Sequence, residues 1–328
     1  MQDQATLYLH FPCFDGLISA VLASDLLEQQ GWSFKRFRQV NYHLRARWAS
    51  ERLDPHSAVV DFLYHPDAQF WADHHSTTFL FDRLRLDYER RRNPSLLYDS
   101  SASSCSLLIW RSFSSSFIAN KDRYHEMAEW ADRIDSARYN NVEEAILGNS
   151  PPLAIHRSLA IRAGAAYCEF LVRALRRERL EDVAQLRRVR NRATESRALT
   201  EAGLDRVRGS IHLEDGDIAF FSVRPDRHEI VSRYAPFYFF PRARYSLGLV
   251  RNEDGAKITA MRNPWLEFNS IPLGRMFEHY GGGGHLRVGS TILMGARADD
   301  AERTTREILA EIRKQDTDQA APLRQAFA

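Results

Sequence analysis

The sequence predicts an α/β protein: a domain built on a parallel sheet, a charged helical connector, and a smaller α+β domain. Three observations carry this. Short apolar runs alternate with helical periodicity through the first half of the chain. A segment dense in Arg and Glu follows, Arg173 to Arg197, with Leu and Val at helical spacing. After about Leu204 the texture shifts to β-type runs, a turn and a glycine cluster. At 328 residues the chain is long enough for two cores. The expected boundaries are 1–180, 181–204 for the connector, and 205–328.

The elements follow in order. Thr6 to His10 reads as a strand and turns at Pro12. A helix beginning near Gly16 then carries Leu17, Ala20, Val21, Ala23, Leu26 and Leu27. Ser33 to Val40 reads as a second strand. Ala58-Val59-Val60 is an apolar run ending at Asp61, and Phe70-Trp71-Ala72 is another ending at Asp73. Ser103 to Phe113 and Tyr124 to Ile134 read as helices. Arg173 to Arg197 reads as one long helical stretch whose arginines face their own acidic neighbours. Ser210 to Leu213 and Ile218 to Val223 read as strands. Tyr245 to Val250 and Lys257 to Met261 flank Asn252-Glu253-Asp254-Gly255, a hairpin turn. Leu273 to His279 is helix-like and Ser290 to Met294 strand-like. A last helix starts after Asp299-Asp300, acidic residues that suit a helix N-terminus.

Composition narrows the function classes. A net charge of +2 gives no strong global field for nucleic acid, so the basic character is local and mostly Arg. Cys13, Cys105 and Cys168 are odd in number and widely spaced, which argues against a disulfide framework and for a reducing cytoplasm. The opening MQDQATLYLHFP lacks the pattern of a secretory leader. No apolar run approaches the roughly 20 residues that span a bilayer, so no membrane partner is expected.

Chemistry concentrates in four places where Asp or His follows an apolar run: His10 with Asp15, Asp61, Asp73-His74-His75, and Asp135. In parallel sheets ligands sit at the carboxyl ends of strands, where His10, Asp61 and Asp73 fall. Carboxylates with imidazoles suit Mn²⁺, Mg²⁺ or Co²⁺. A bridging carboxylate can hold two such ions about 3.5–4 Å apart, an arrangement suited to phosphoryl hydrolysis.

FWADHHSTT, with LYLHFPCFDGLISA and AVVDFLYHP upstream and DSSASSCSLLIW and DSARY downstream, resembles the ordered motifs of the DHH phosphoesterases. YGGGGHLRVGS, Tyr280 to Ser290, resembles the glycine-rich signature of their DHHA1 accessory domain. The resemblance implies a DHH-type metal-binding domain, a helical linker and a DHHA1-like substrate-binding domain. By that resemblance Asp61 bridges two metal ions. Asp15, His74 and Asp135 complete one site, and His10 serves the other. Asp73 orients a neighbouring histidine. His75 faces the scissile phosphate as donor or general acid.

One departure stands in the first motif. The family carries two aspartates two residues apart, whereas here Cys13 stands in the first position and Asp15 in the second. Cys13 is either a ligand or a small buried residue beside a weakened site, so one or two ions are expected. Some relatives share this proline-cysteine arrangement. Asp132, one helical turn before Asp135, competes with it as ligand.

For the substrate-binding half, Gly282, Gly283 and Gly284 would let backbone N–H groups approach phosphate. His285 would contact phosphate or base, and Arg262 would grip a phosphate. Ser100, Ser101, Ser103 and Ser104 are helix caps or phosphate donors. The aromatics Tyr234 to Phe240 are packing or base-stacking groups. The implied function is a metal-dependent hydrolase acting in an interdomain cleft on small nucleotides or short oligonucleotides. The alternatives are an exopolyphosphatase or pyrophosphatase acting on polyphosphate, and a non-catalytic nucleotide-binding protein. The sequence admits a homodimer.

Overall fold

The computed structural model describes residues 4–161, 163–253 and 255–325. In chain order the elements begin with β1 (Gln4–His10), α1 (Phe14–Gln29), β2 (Ser33–Val40), α2 (Arg45–Trp48), β3 (Ser57–Val60), β4 (Phe70–Asp73), α3 (Asp82–Arg91) and β5 (Leu96–Tyr98). Then come α4 (Cys105–Phe113), α5 (Lys121–Asp135), α6 (Val142–Leu147), α7 (Pro151–Ser158), α8 (Ala165–Leu175), α9 (Leu180–Gln185) and α10 (Arg187–Arg208). The remainder is β6 (His212–Glu214), β7 (Ile218–Val223), α11 (Ala235–Phe239), β8 (Tyr245–Asn252), β9 (Gly255–Arg262), α12 (Leu273–Glu278), β10 (Gly283–His285), β11 (Val288–Met294), α13 (Ala296–Asp299) and α14 (Ala301–Gln325).

The chain divides into two compact units, Met1–Tyr139 with Gly148–Ser196, and Asn140–Leu147 with Arg197–Ala328. In the first, among the described residues, a five-stranded sheet has the order β2-β1-β3-β4-β5. Every neighbouring pair is parallel. Parallel strands covered on both faces are buried along their whole length, as β3 and β4 are. Helix α1 is buried almost all round, from Phe14 to Ser24, because the sheet lies on one side and α4, α5 and α8 on others. An aromatic layer of Trp48, Phe62, Tyr64, Trp71 and Tyr88 fills another part of this core.

This strand order reverses direction between β1 and β3. A crevice opens at such a reversal, outside the carboxyl ends of the strands. His10 closes β1, Asp61 follows β3 and Asp73 closes β4. The sheet therefore delivers three candidate side chains to one edge.

The stretch Arg173 to Arg197 is helical and divided among α8, α9 and α10. It breaks after α8 and again at Leu186, where ψ is 127°. The first break is held by Arg123, whose guanidinium donates to the carbonyls of Leu175, Arg176 and Glu178 at 3.4, 2.9 and 3.2 Å. Arg173 pairs with its neighbour Glu169 as expected, whereas Arg176 reaches instead to Glu28 of α1. Arg192 lies 4.0 Å over the Tyr167 ring.

The second unit holds a six-stranded sheet of order β10-β11-β9-β8-β7-β6, among the described residues. It is antiparallel except for the β7–β8 pair. Its apolar core joins Leu247, Leu249 and Ile258 to Met276 and Phe277 of α12 and to Ile308 and Ile312 of α14. β8 and β9 pair Asn252 with Gly255, a two-residue hairpin, while Asp254 lies outside the described residues. Helix α6 packs against α11, where Tyr234 and Phe237 gather around Trp265. Tyr234 and Phe237 of that cluster therefore serve as packing, while Tyr238 is exposed.

Candidate metal centre

The site begins with His74. Its Nδ1 lies 3.1 Å from the carbonyl of Ala102, which can only accept, so Nδ1 carries the proton. Nε2 is thereby the ligand-type nitrogen. It faces Asp135 Oδ2 at 3.5 Å, Asp61 Oδ1 at 3.6 Å and Asp15 Oδ2 at 3.8 Å. These gaps are long for hydrogen bonds. They are near the roughly 3–3.5 Å between adjacent donors around an ion with bonds of about 2.0–2.2 Å. Asp61 is 1% exposed, and its Oδ1 accepts no hydrogen bond from any described residue. A buried carboxylate oxygen in that state is costly unless a cation completes it. Burial, and then the Asp15 carboxylate, push the Asp61 carboxyl well above its ordinary value. The donors and their spacing fit a divalent ion.

Each ligand is placed by local structure. Asp61 has φ of +56°, a left-handed conformation uncommon outside glycine, which turns the side chain back over the sheet edge. Asp15 lies in the first turn of α1, and both its oxygens accept from the first amides of α4: Cys105 N at 2.7 Å and Ser106 N at 2.9 Å. One helix N-terminus thus fixes the carboxylate's aim. Ser104 caps the same helix through Leu107 N. Gly16 is required beneath: a Cβ there would lie 2.1 Å from the His10 carbonyl oxygen and 3.1 Å from Asp61 Oδ2.

Asp135 closes α5 and reaches the cluster, whereas Asp132 does not take part in it. Asp132 is buried and holds Ser103 and Arg138. Ser103 follows Ala102, the residue that orients His74. The two aspartates therefore divide between ligand geometry and support.

A second group adjoins the first. His10 Nδ1 lies 3.2 Å from Asp61 Oδ2. Donor atoms of His10, Cys13 and Asp61 all lie within 4.8 Å of one another, as do those of Asp15, Asp61 and His74, and of Asp61, Asp73 and His75. Asp61 belongs to all three groups. Burial holds His10 below its ordinary value and so keeps the imidazole neutral, while Asp135 and Asp73 act the other way.

Asp73 Oδ1 accepts from His75 Nδ1 at 2.7 Å and from His74 N at 2.9 Å. Burial alone would lower the His75 pKa, but Asp73 and then Asp61 raise it to about 9. His75 is therefore a protonated imidazolium at neutral pH in the metal-free protein. Tyr42, in a polar stretch that carried no sequence signal beyond its aromatic ring, packs edge-on to His10 at 5.2 Å and to His75 at 5.9 Å.

In the second unit two expectations meet a different arrangement. Arg262 is 8% exposed, and its guanidinium donates to the carbonyls of Asn263, Leu266 and Phe268 at 3.1, 2.7 and 3.2 Å while lying over the Phe268 ring. It braces its own loop, and a phosphate would have to displace those bonds. Gly282 and Gly284 are required by close backbone approach: a Cβ would meet Ser290 O at 2.1 Å and Val288 O at 2.2 Å. Gly283 and His285 continue the β10–β11 hairpin, pairing with Ser290 and Val288. Close backbone approach in the hairpin thus requires glycine at 282 and 284. Ser101 and Ser103 bond Asp99 and Asp132 and so belong to the loop before α4.

The chain shares its α/β fold, a parallel five-stranded sheet followed by a second, mixed sheet, with solved DHH-domain structures. Among solved structures it is similar to the pGpG-specific phosphodiesterase PggH of Vibrio cholerae, with a TM-score of 0.67 at 15% identity over 95% of this chain and 99% of that one. It is also similar to the DHH domain of a member of the s1p family of ribosomal proteins, with a TM-score of 0.56 at 12% identity, covering 95% of this chain and 87% of that one. RecJ of Thermus thermophilus in complex with Mn²⁺ gives a TM-score of 0.54 at 12% identity, covering 94% of this chain and 52% of that one. No family model matches the chain, and no curated protein matches it significantly by sequence. Among the described residues no helix is long and apolar enough to cross a membrane.

Proposed function

We propose that the protein is a metal-dependent phosphodiesterase acting on short oligonucleotides or small nucleotides. The observation that carries this reading is the convergence on His74 Nε2 of three carboxylates from α1, the end of β3 and the end of α5, at 3.5 to 3.8 Å. The likeness to a dinucleotide phosphodiesterase extends over nearly the whole of that chain, which favours small substrates over polymers.

In this reading Asp15, Asp61, His74 and Asp135 hold one cation, and His10 with Asp61 serves a second. Bound ions supply charge neutralisation at phosphate oxygens and acidify water. The remaining steps belong to the chain. Asp61 would contribute an oxygen to each position. Asp73 holds the His75 Nδ1 proton, so the opposite ring edge meets the substrate. There His75 donates a hydrogen bond to a phosphate oxygen or passes its proton to the leaving oxygen.

The test is direct. Purified protein with Mn²⁺, Mg²⁺ or Co²⁺ is offered linear dinucleotides, cyclic dinucleotides, pyrophosphate and polyphosphate. Linear dinucleotides are expected to be cleaved. Asp61→Ala is expected to lower kcat by roughly 10²-fold or more, while the exposed Lys35→Gln leaves it unchanged. Binding of dinucleotide without turnover under every metal would overturn the reading.

A further inference from the structure

We propose that Cys13 is a metal donor, and that it makes the His10–Asp61 position select softer divalent ions, such as Co²⁺ or Zn²⁺, over Mg²⁺. This rests on the metal-centre reading above. Cys13 is the N-cap of α1, held there by Leu17 N donating to its carbonyl at 3.1 Å. Its side chain is half-buried and sulfur-bearing, at the front of a 16-residue helix. The Sγ, a His10 ring nitrogen and an Asp61 oxygen lie within 4.8 Å of one another, close enough to converge on one ion. Among the described residues no other thiol belongs to such a group. Cys105 is fully buried and directs its Sγ to the Ala72 carbonyl at 3.2 Å, and Cys168 is fully buried within α8.

Two observations beyond the cysteine point to an ion. Asp61 carries a buried carboxylate whose Oδ1, on the His74 side, accepts no hydrogen bond, while its Oδ2 faces His10. His10 is directed at the same carboxylate from the carboxyl end of the neighbouring strand. A donor set of one sulfur, one nitrogen and one oxygen favours borderline and soft ions, whereas an all-oxygen and nitrogen set favours hard ones. The neighbouring position, formed by Asp15, Asp61, His74 and Asp135, has no sulfur. The two positions therefore differ in preference although they share Asp61.

The experiment uses the full chain, stripped with chelator and titrated anaerobically with Co²⁺. Wild-type protein is expected to develop a near-ultraviolet thiolate-to-cobalt charge-transfer band. Cys13→Ser should lose that band while the sulfur-free position still fills, as shown by metal analysis and visible cobalt absorption. Cys13→Asp should lose the band and shift the ratio of Mg²⁺ to Zn²⁺ affinity by roughly tenfold or more, since loss of an outer-shell partner alone costs about 10–100-fold. Filling of both positions by Co²⁺ with no such band, or a band that survives Cys13→Ser, overturns the assignment and leaves the metal centre intact. Failure of the wild-type protein to bind any Co²⁺ would overturn the metal-centre reading and this proposal together.

Discussion

Asp61 and His75 share one electrostatic problem: both are buried beside carboxylates, and both bind protons more tightly than they would in the unfolded chain. Burial and Asp15 raise the Asp61 carboxyl, and Asp73 lifts His75 to about 9 against the lowering effect of burial. A group whose folded pKa is raised contributes stability that is complete below its unfolded value and is lost as pH rises through its folded value. For His75 that window runs from the ordinary value of 6.5 to about 9. Chelator-treated protein should therefore become less stable as pH rises across that window. His75→Gln should flatten the slope measured by urea denaturation. A metal-free protein whose stability rises with pH over this interval would count against the assignment of charge to His75.

At the scale of elements, the crossing of β1 and α1 is the tightest point of the site. Gly16→Ala would drive a methyl group against the His10 carbonyl, and overpacking of this kind costs roughly 1–3 kcal/mol. The expected result is a lower urea midpoint together with weakened metal binding, because Asp15 and His10 flank the contact. Equal metal affinity in the variant would contradict the placement. Asp132→Ala should act more gently on stability but slow turnover. It frees Ser103 and Arg138 from the end of α5, and with them the loop whose Ala102 carbonyl aims His74. The strand ends were legible in the sequence because an apolar run that stops at Asp or His marks the carboxyl edge of a parallel sheet. His10, Asp61 and Asp73 were found that way. What joins them was not legible. The grip of the α4 amides on Asp15 links residues about ninety positions apart, and nothing local announces it. Strand β5 is only Leu96–Tyr98, and α3 is so charged that its buried Leu84 and Tyr88 give little periodic signal. Arg262 looked like a ligand group because its position at a strand end is visible in sequence, while the carbonyls that occupy it are not.

At the scale of the whole molecule, the site is a stability cost that metal binding offsets. Several carboxylates are gathered out of water with too few donors to satisfy them, a common pattern where function is bought with stability. Binding of an ion to the folded state alone should add about 2.7 kcal/mol when free metal is about 100 times Kd. The most direct measurement is the thermal midpoint of wild-type and Asp61→Asn protein at pH 8, each with and without Mn²⁺. Asparagine keeps an acceptor for His10 and tolerates the left-handed backbone at this position, but removes one buried charge. The account predicts that Asp61→Asn melts higher than wild type without metal and gains little from Mn²⁺, while wild type gains several degrees. A metal-free Asp61→Asn protein that melts lower than wild type yet responds to Mn²⁺ as strongly would contradict it.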